Sequence, residues 1–195
     1  WLAEGNGLWR VDPAKSGGLY FMEPIHEVDL FRYLGGEIDA VQSVAAPTVL
    51  PQYMFQDNCC SHFFFRSGAL GTILTTHTHS AATADSAMWD RLGHDMNFYL
   101  TLTHGSIGVD AIHSRILINH FEEYPLGSGG RRVVFDRIED YAPMGGHAFA
   151  HDIALRRMEF LRHVAEGTAP FQDTLDAWKS HRVCLAAEAS LQAGG

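Results

Sequence analysis

The sequence predicts an α+β fold, a large, mostly antiparallel sheet with helices packed on one face. Three observations lead there. One helical signal precedes a long run of segments with strand character, the connections between those segments are short, and helical periodicity returns in the C-terminal third. Short connections suit antiparallel neighbours, because parallel strands need a crossover of about a dozen residues or more. At 195 residues, 46% of them hydrophobic, the chain is long enough to bury a real core. No internal repeat or low-complexity linker interrupts it, so residues 1–195 read as one domain.

Residues 1–18 are rich in Gly, Asp, Pro and Trp and read as an irregular leading segment. A helix is predicted from Pro24, where a missing N–H costs nothing, to Gly35-Gly36. Strands are predicted near residues 38–45, 58–67, 69–79, 96–103, 106–112, 115–121 and 132–138, each rich in Val, Ile, Thr, Phe or Tyr. Turn signals separate them, among them Ser67-Gly68, His104-Gly105 and Gly127-Ser128-Gly129-Gly130. In the last third, Phe149, Ile153, Phe160, Leu161 and Val164 share one side of a helical wheel that ends at Gly167. Leu175, Trp178, Leu185 and Ala189 do the same in a final helix that Asp173 or Thr174 caps. The run HFFF at residues 62–65 puts aromatics on both faces of a strand, so the open sheet face is expected to bury itself against a second copy of the chain, the alternative being a second layer of loops.

Composition narrows the function classes. A formal charge of −9 argues against nucleic acid or an anionic membrane as the main partner. No apolar run approaches the roughly 18 residues of a membrane span. Cys59, Cys60 and Cys184 have neither metal spacing nor a disulfide framework, which favours a reducing, cytoplasmic setting. The chain opens on Trp1 without an initiator methionine, as expected of a processed or excised piece.

The chemistry-bearing stretch is SGGLYFMEPIHEVDLFRYLGG, residues 16–36. His26 falls in the first turn of the predicted helix, and Asp29, three residues on, shares its face. An imidazole there can accept a proton from an alcohol. Asp29 is a candidate to orient the ring, or merely caps local backbone. Gly17 and Gly18 let the backbone pass close to another surface or a ligand. His77 and His79 alternate on one strand face and are candidates for substrate contact. With His62, His94 or Asp95 they would instead offer a metal site, although no metal is expected. His147, His151 and Asp152 follow a glycine pair at a helix start, where a hydroxyl-rich ligand would suit. Trp9 and Arg10 precede the motif and are candidate substrate contacts, or merely part of a loose leading loop.

The stretch SGGLYFMEPIHEVDLFRYLGGEIDAV resembles the opening signature of the C-terminal domain of the glucose–fructose oxidoreductase / inositol dehydrogenase / MocA family. FRSGALGTILTTHTHS resembles that family's following strand pair, THGSIGVD its Gly-x-x-Gly hairpin, and FLRHVAEGTAPFQDTLDAWKSHRVCLAAEASLQAGG its closing helices. The resemblance implies a glyceraldehyde-3-phosphate-dehydrogenase-like C-terminal fold. It also implies a Rossmann domain outside this chain that binds NAD or NADP, and a sugar or polyol substrate. Neither a Gly-x-Gly-x-x-Gly loop after a strand nor the family's Glu-Lys-Pro motif occurs in residues 1–195. His26 matches the family's catalytic histidine, Asp29 the later aspartate of the motif, and Gly17-Gly18 the glycine run near the cofactor. The family's catalytic aspartate falls on Met22, whose thioether cannot hold an imidazole by a charged hydrogen bond. Glu23, next door, is the expected substitute. The alternative is a binding or assembly module that kept the fold and lost the chemistry; a weaker one is a metal-dependent hydrolase or lyase.

Overall fold

The computed structural model describes residues 9–22, 24–50, 56–76, 97–110, 115–140 and 153–194. The chain divides into two compact units, one from Trp1–His79 with Thr168–Gly195 and one from Ser80–Gly167.

In the first unit, Asp12 caps a single helical turn, α1 (Pro13–Ser16), by accepting the Ala14 N–H at 3.0 Å. Gly17, at φ +89°, closes it in the left-handed conformation that glycine adopts without penalty. A 3-10 turn over Leu19–Phe21 follows, then α2 (Ile25–Gly35). Pro24, the predicted first helical position, sits instead at the cap of α2, which begins one residue later at Ile25. Three antiparallel strands come next in the order β1 (Ile38–Ala45), β2 (Asn58–Phe65) and β3 (Leu70–Thr76), and α4 (Thr174–Ala193) completes the unit. Asp173, one of the two cap candidates the sequence offers, caps α4 by accepting the Asp176 N–H at 2.8 Å.

Strand alternation decides what the sheet buries. Val41, Phe63 and Gly71 are paired neighbours across the three strands, as are Ser43, Ser61 and Ile73. Cys59, Ser61, Phe63 and Phe65 point to the core side, while His62 and Phe64 of the same run point the other way. Phe63 is fully buried between Tyr20 and Phe31, with ring centroids 6.3 and 5.6 Å away in edge-on geometry. Its removal from water contributes on the order of 2–3 kcal/mol. The Phe31 ring lies where a side chain on Gly71 would stand, so the glycine is what lets α2 sit down on β3.

The buried face of α4 differs from the predicted one. Leu175, Trp178 and Leu185 are exposed, and Ser180, Cys184, Ala187, Glu188 and Leu191 face the core. Small side chains let the helix approach β1 closely, and there Ser190 Oγ accepts the Ser43 N–H at 2.9 Å. An apolar stripe marks a face that can be buried; the shape of the facing sheet selects which face is.

The second unit holds an antiparallel sheet in the order β4 (Asn97–Thr101), β5 (Gly105–Asp110), β6 (Arg115–Glu123) and β7 (Arg131–Asp140), together with α3 (Ile153–Glu166). Each predicted strand has a counterpart, and the fold is α+β. Among the described residues the strands are shared between two sheets, three in one and four in the other. Phe160, Leu161 and Val164, the predicted core stripe of α3, are exposed.

Candidate functional site

The backbone reaches the site through the 3-10 turn, where the Met22 N–H donates to Leu19 O at 3.0 Å. Pro24 then starts α2, and His26 stands exposed in its first turn, with no hydrogen-bond partner among the described residues. Met22 is half-buried against the core. Its position beside the helix start therefore carries packing, with no charge.

Asp29 lies on the same side of α2 but is engaged elsewhere. Its Oδ1 accepts Ser180 Oγ at 2.6 Å and Gln172 Nε2 at 2.9 Å, and Arg32 Nη1 is 3.7 Å away. This ties α2 to α4. Arg32 makes the tie stronger: its side chain is only 5% exposed, and Nη1 donates to Asp176 O at 2.9 Å and Ser180 Oγ at 2.7 Å. Nη2 donates to Asp176 Oδ1 at 2.7 Å and to Glu37 Oε1 at 3.3 Å. Burial opposes the Arg32 charge, but the bonds to Asp176 and Glu37 outweigh it and raise the pKa. The Glu37 carboxyl is held below its ordinary value, first by the Lys179 ammonium at 3.1 Å and then by Arg32.

Gly18 is buried at φ +108°, and a Cβ there would overlap the Glu188 carboxyl group. Glu188 is 8% exposed, and its Oε1 accepts the Tyr20 N–H at 2.5 Å. Burial pushes the Glu188 pKa up, and the Tyr20 hydrogen bond offsets part of that rise. Around it, burial raises the Cys59 thiol, and burial followed by the charges of Glu188, Asp29 and Glu27 pushes Cys184 up to about 12. Neither cysteine is activated as a nucleophile.

The Gly17 and Gly18 amides do not fit a dinucleotide phosphate. Phosphates call for unoccupied N–H donors. Here the Gly17 N–H donates to Pro13 O at 2.9 Å, the Gly18 N–H to Ser16 Oγ at 3.3 Å, and the Tyr20 N–H to a carboxylate. Trp9 is exposed, and the Arg10 guanidinium lies 5.4 Å from its ring centroid. Glu23, His77, His79 and His151 lie outside the described residues. Among the described residues no three His, Cys, Asp or Glu side chains gather as metal ligands.

The structure therefore places His26 and Asp29 on one helix, with the carboxylate turned to α4. Sequence reasoning missed Arg32, Ser180 and Glu188. The Asp29–Arg32 spacing of three residues and the Ala-Glu-x-Ser run at residues 187–190 were visible signals, but neither names a partner on another element.

The family model described as "GFO/IDH/MocA C-terminal domain" matches residues 1–108. No curated protein matches by sequence. Among solved structures, the chain is similar to a levoglucosan dehydrogenase in complex with NADH, with a TM-score of 0.71 and 18% identity over 100% of this chain and 54% of that one. It is also similar to a UDP-N-acetylglucosamine 3-dehydrogenase from Acidithiobacillus ferrooxidans, with a TM-score of 0.61 and 16% identity over 87% of this chain and 47% of that one. A third is an oxidoreductase from Agrobacterium radiobacter in complex with NAD+, L-tartaric acid and magnesium, with a TM-score of 0.63 and 13% identity over 91% and 48%. At these identities the likeness is one of fold, and the chain spans about half the length of each.

Proposed function

Because the chain belongs to the GFO/IDH/MocA C-terminal domain family, we propose that it is the substrate domain of a nicotinamide-dependent oxidoreductase acting on a sugar, polyol or related hydroxy compound. The observation that carries this reading is His26, an exposed imidazole at the head of α2, in a stretch that resembles the family's motif with its acid/base histidine. The sugar dehydrogenases of the same fold, one of them with bound NADH, support the substrate class and the cofactor type. A nicotinamide supplies hydride exchange in such enzymes, and the Gly17, Gly18 and Tyr20 N–H groups of this chain's glycine turn are already taken by other acceptors.

The chain's own part is proton transfer. His26 takes the proton of the substrate hydroxyl during oxidation and returns it during reduction. Met22 cannot orient the ring, and Asp29 is held by Ser180 and Gln172. Glu23 is the carboxylate left to support it. Trp9 offers a flat apolar face to a sugar ring, and His77, His79 and His151 are further candidates for substrate hydroxyls. Such polar contacts discriminate between isomers, because a buried group left unpaired rejects the wrong one. The open sheet face of the first unit carries exposed Val44, Phe64, Leu70 and Leu74, which supports a homo-oligomer joined there. Free Cys59, Cys60 and Cys184 support a cytoplasmic setting.

The test is nicotinamide reduction by the full-length protein across a panel of sugars and polyols, beside His26→Ala. We expect turnover in the parent and a kcat lower by about 10²–10⁴-fold in the variant. Unchanged turnover in His26→Ala would remove the acid/base role. The methionine at position 22 favours one second reading, a ligand-binding module without chemistry. Nicotinamide and sugar binding without turnover of any substrate would support it.

A further inference from the structure

Glu188 is a buried carboxyl that proton transfer at His26 does not use. It sits on the core side of α4, seated against Gly18, and accepts the Tyr20 N–H at 2.5 Å. Among the described residues no Lys, Arg or His forms an ion pair with it. Among the described residues, Glu188 acts on the Cys59 thiol of β2 and the Cys184 thiol of its own helix, and the buried Tyr20, whose N–H it accepts, shares their core cluster. Glu27 and Asp29 of α2 act on that same Cys184. None of these brings positive charge.

A residue that only filled space here would do better as leucine, since an unpaired buried carboxyl is costly. What an apolar residue could not do is accept the N–H left without a partner at the start of a 3-10 turn. A carboxylate accepts it more strongly than a neutral group does. The absent Cβ at Gly18 is the matching half of the arrangement, because it lets the carboxyl reach the backbone.

We propose that Glu188 is a positioning residue of the His26 site: its carboxyl clamps the Gly18–Tyr20 turn to α4 and so fixes the direction from which the backbone enters the His26 helix. Its relevance to chemistry rests on the reading of His26 as acid/base; the clamp itself does not.

The experiment follows the backbone amide resonances of the full chain through pH, for the parent, Glu188→Gln and Glu188→Leu. In the parent, the Tyr20 amide proton should titrate with an inflection above the ordinary glutamate range, because burial penalises the charged carboxyl. Glu188→Gln keeps an acceptor and loses the charge. It should abolish that inflection and leave the amides of residues 18–26 near their parent positions. Glu188→Leu should displace those amides. A Tyr20 amide that does not titrate, or that titrates alike in Glu188→Gln, overturns the clamp. So does a Glu188→Leu spectrum unchanged over residues 18–26. Should the leucine variant fail to fold, the glutamine comparison decides alone. Retained turnover in His26→Ala would overturn the acid/base reading and leave this titration unaffected, so the two failures are distinguishable.

Discussion

At Gly18 the backbone holds a left-handed φ of +108° with the Glu188 carboxyl where a side chain would begin. Alanine there is strained by its own conformation and by the overlap, and the overlap is with a buried group that has little room to retreat. Gly18→Ala should lower stability by about 2 kcal/mol or more, read from urea denaturation. Glu188 itself gives stability a pH dependence whose sign is fixed. Its folded pKa is raised above the unfolded value of 4.5, so the native state binds more protons than the unfolded one between the two. This carboxyl therefore costs no stability below the unfolded value and destabilises progressively as pH rises through the window above it. Glu188→Gln should remove that loss, so that parent and variant diverge as pH rises, measured as denaturation midpoints over a pH series. Neither effect is legible in the sequence. Gly17-Gly18 signals a close approach, but the approaching group comes from a residue 170 positions further on.

At the scale of elements, α2 and α4 are joined by a polar tie as well as by apolar contact. Arg32 is nearly buried and serves Asp176, Ser180 and Glu37 at once, while Asp29 holds Ser180 and Gln172. Arg32→Met keeps the stem and removes the donors, leaving the Asp29, Asp176 and Glu37 carboxylates without their shared cation. Because those carboxylates are partly exposed, the cost should be about 2–3 kcal/mol, smaller than for a fully enclosed pair. Arg32→Lys should recover little of it, since one ammonium cannot reach the acceptors that the planar fork reaches. Equilibrium unfolding of the three proteins checks both statements. The strands of both sheets were legible because alternation and turn residues are local signals, and β1 begins and ends where predicted. The buried side of α4 was not, since Cys184, Ala187 and Ser180 carry a weaker hydropathy signal than Leu175, Trp178 and Leu185. Close approach to β1 selected small residues, and volume complementarity is not written in a helical wheel.

At the scale of the whole molecule, the first unit presents one covered sheet face and one open face. The open face carries Leu70 and Leu74, each more than 60% exposed, with Phe64 and Val44 beside them. If the oligomer forms there as proposed, Leu74→Glu combined with Phe64→Glu buries two charges in the interface and should lower the mass of the full-length protein in light scattering toward that of a single chain. An unchanged mass, with parent-like unfolding, would remove this face from the assembly.

The sequence by itself determined the α+β class, the antiparallel strands and their turns, and the family to which residues 1–108 conform. These are set by periodicity, by turn chemistry and by motif spacing, all of which act between neighbours along the chain. Only the tertiary structure decided that Asp29 faces Ser180 and Gln172, that the Gly17–Gly18 turn has its donors occupied, and that Glu188 is seated against Gly18. Each of these depends on which side chain α4 lays against α2 and the 3-10 turn. That choice is made by shape and by the need to satisfy buried polar groups, across more than a hundred intervening residues.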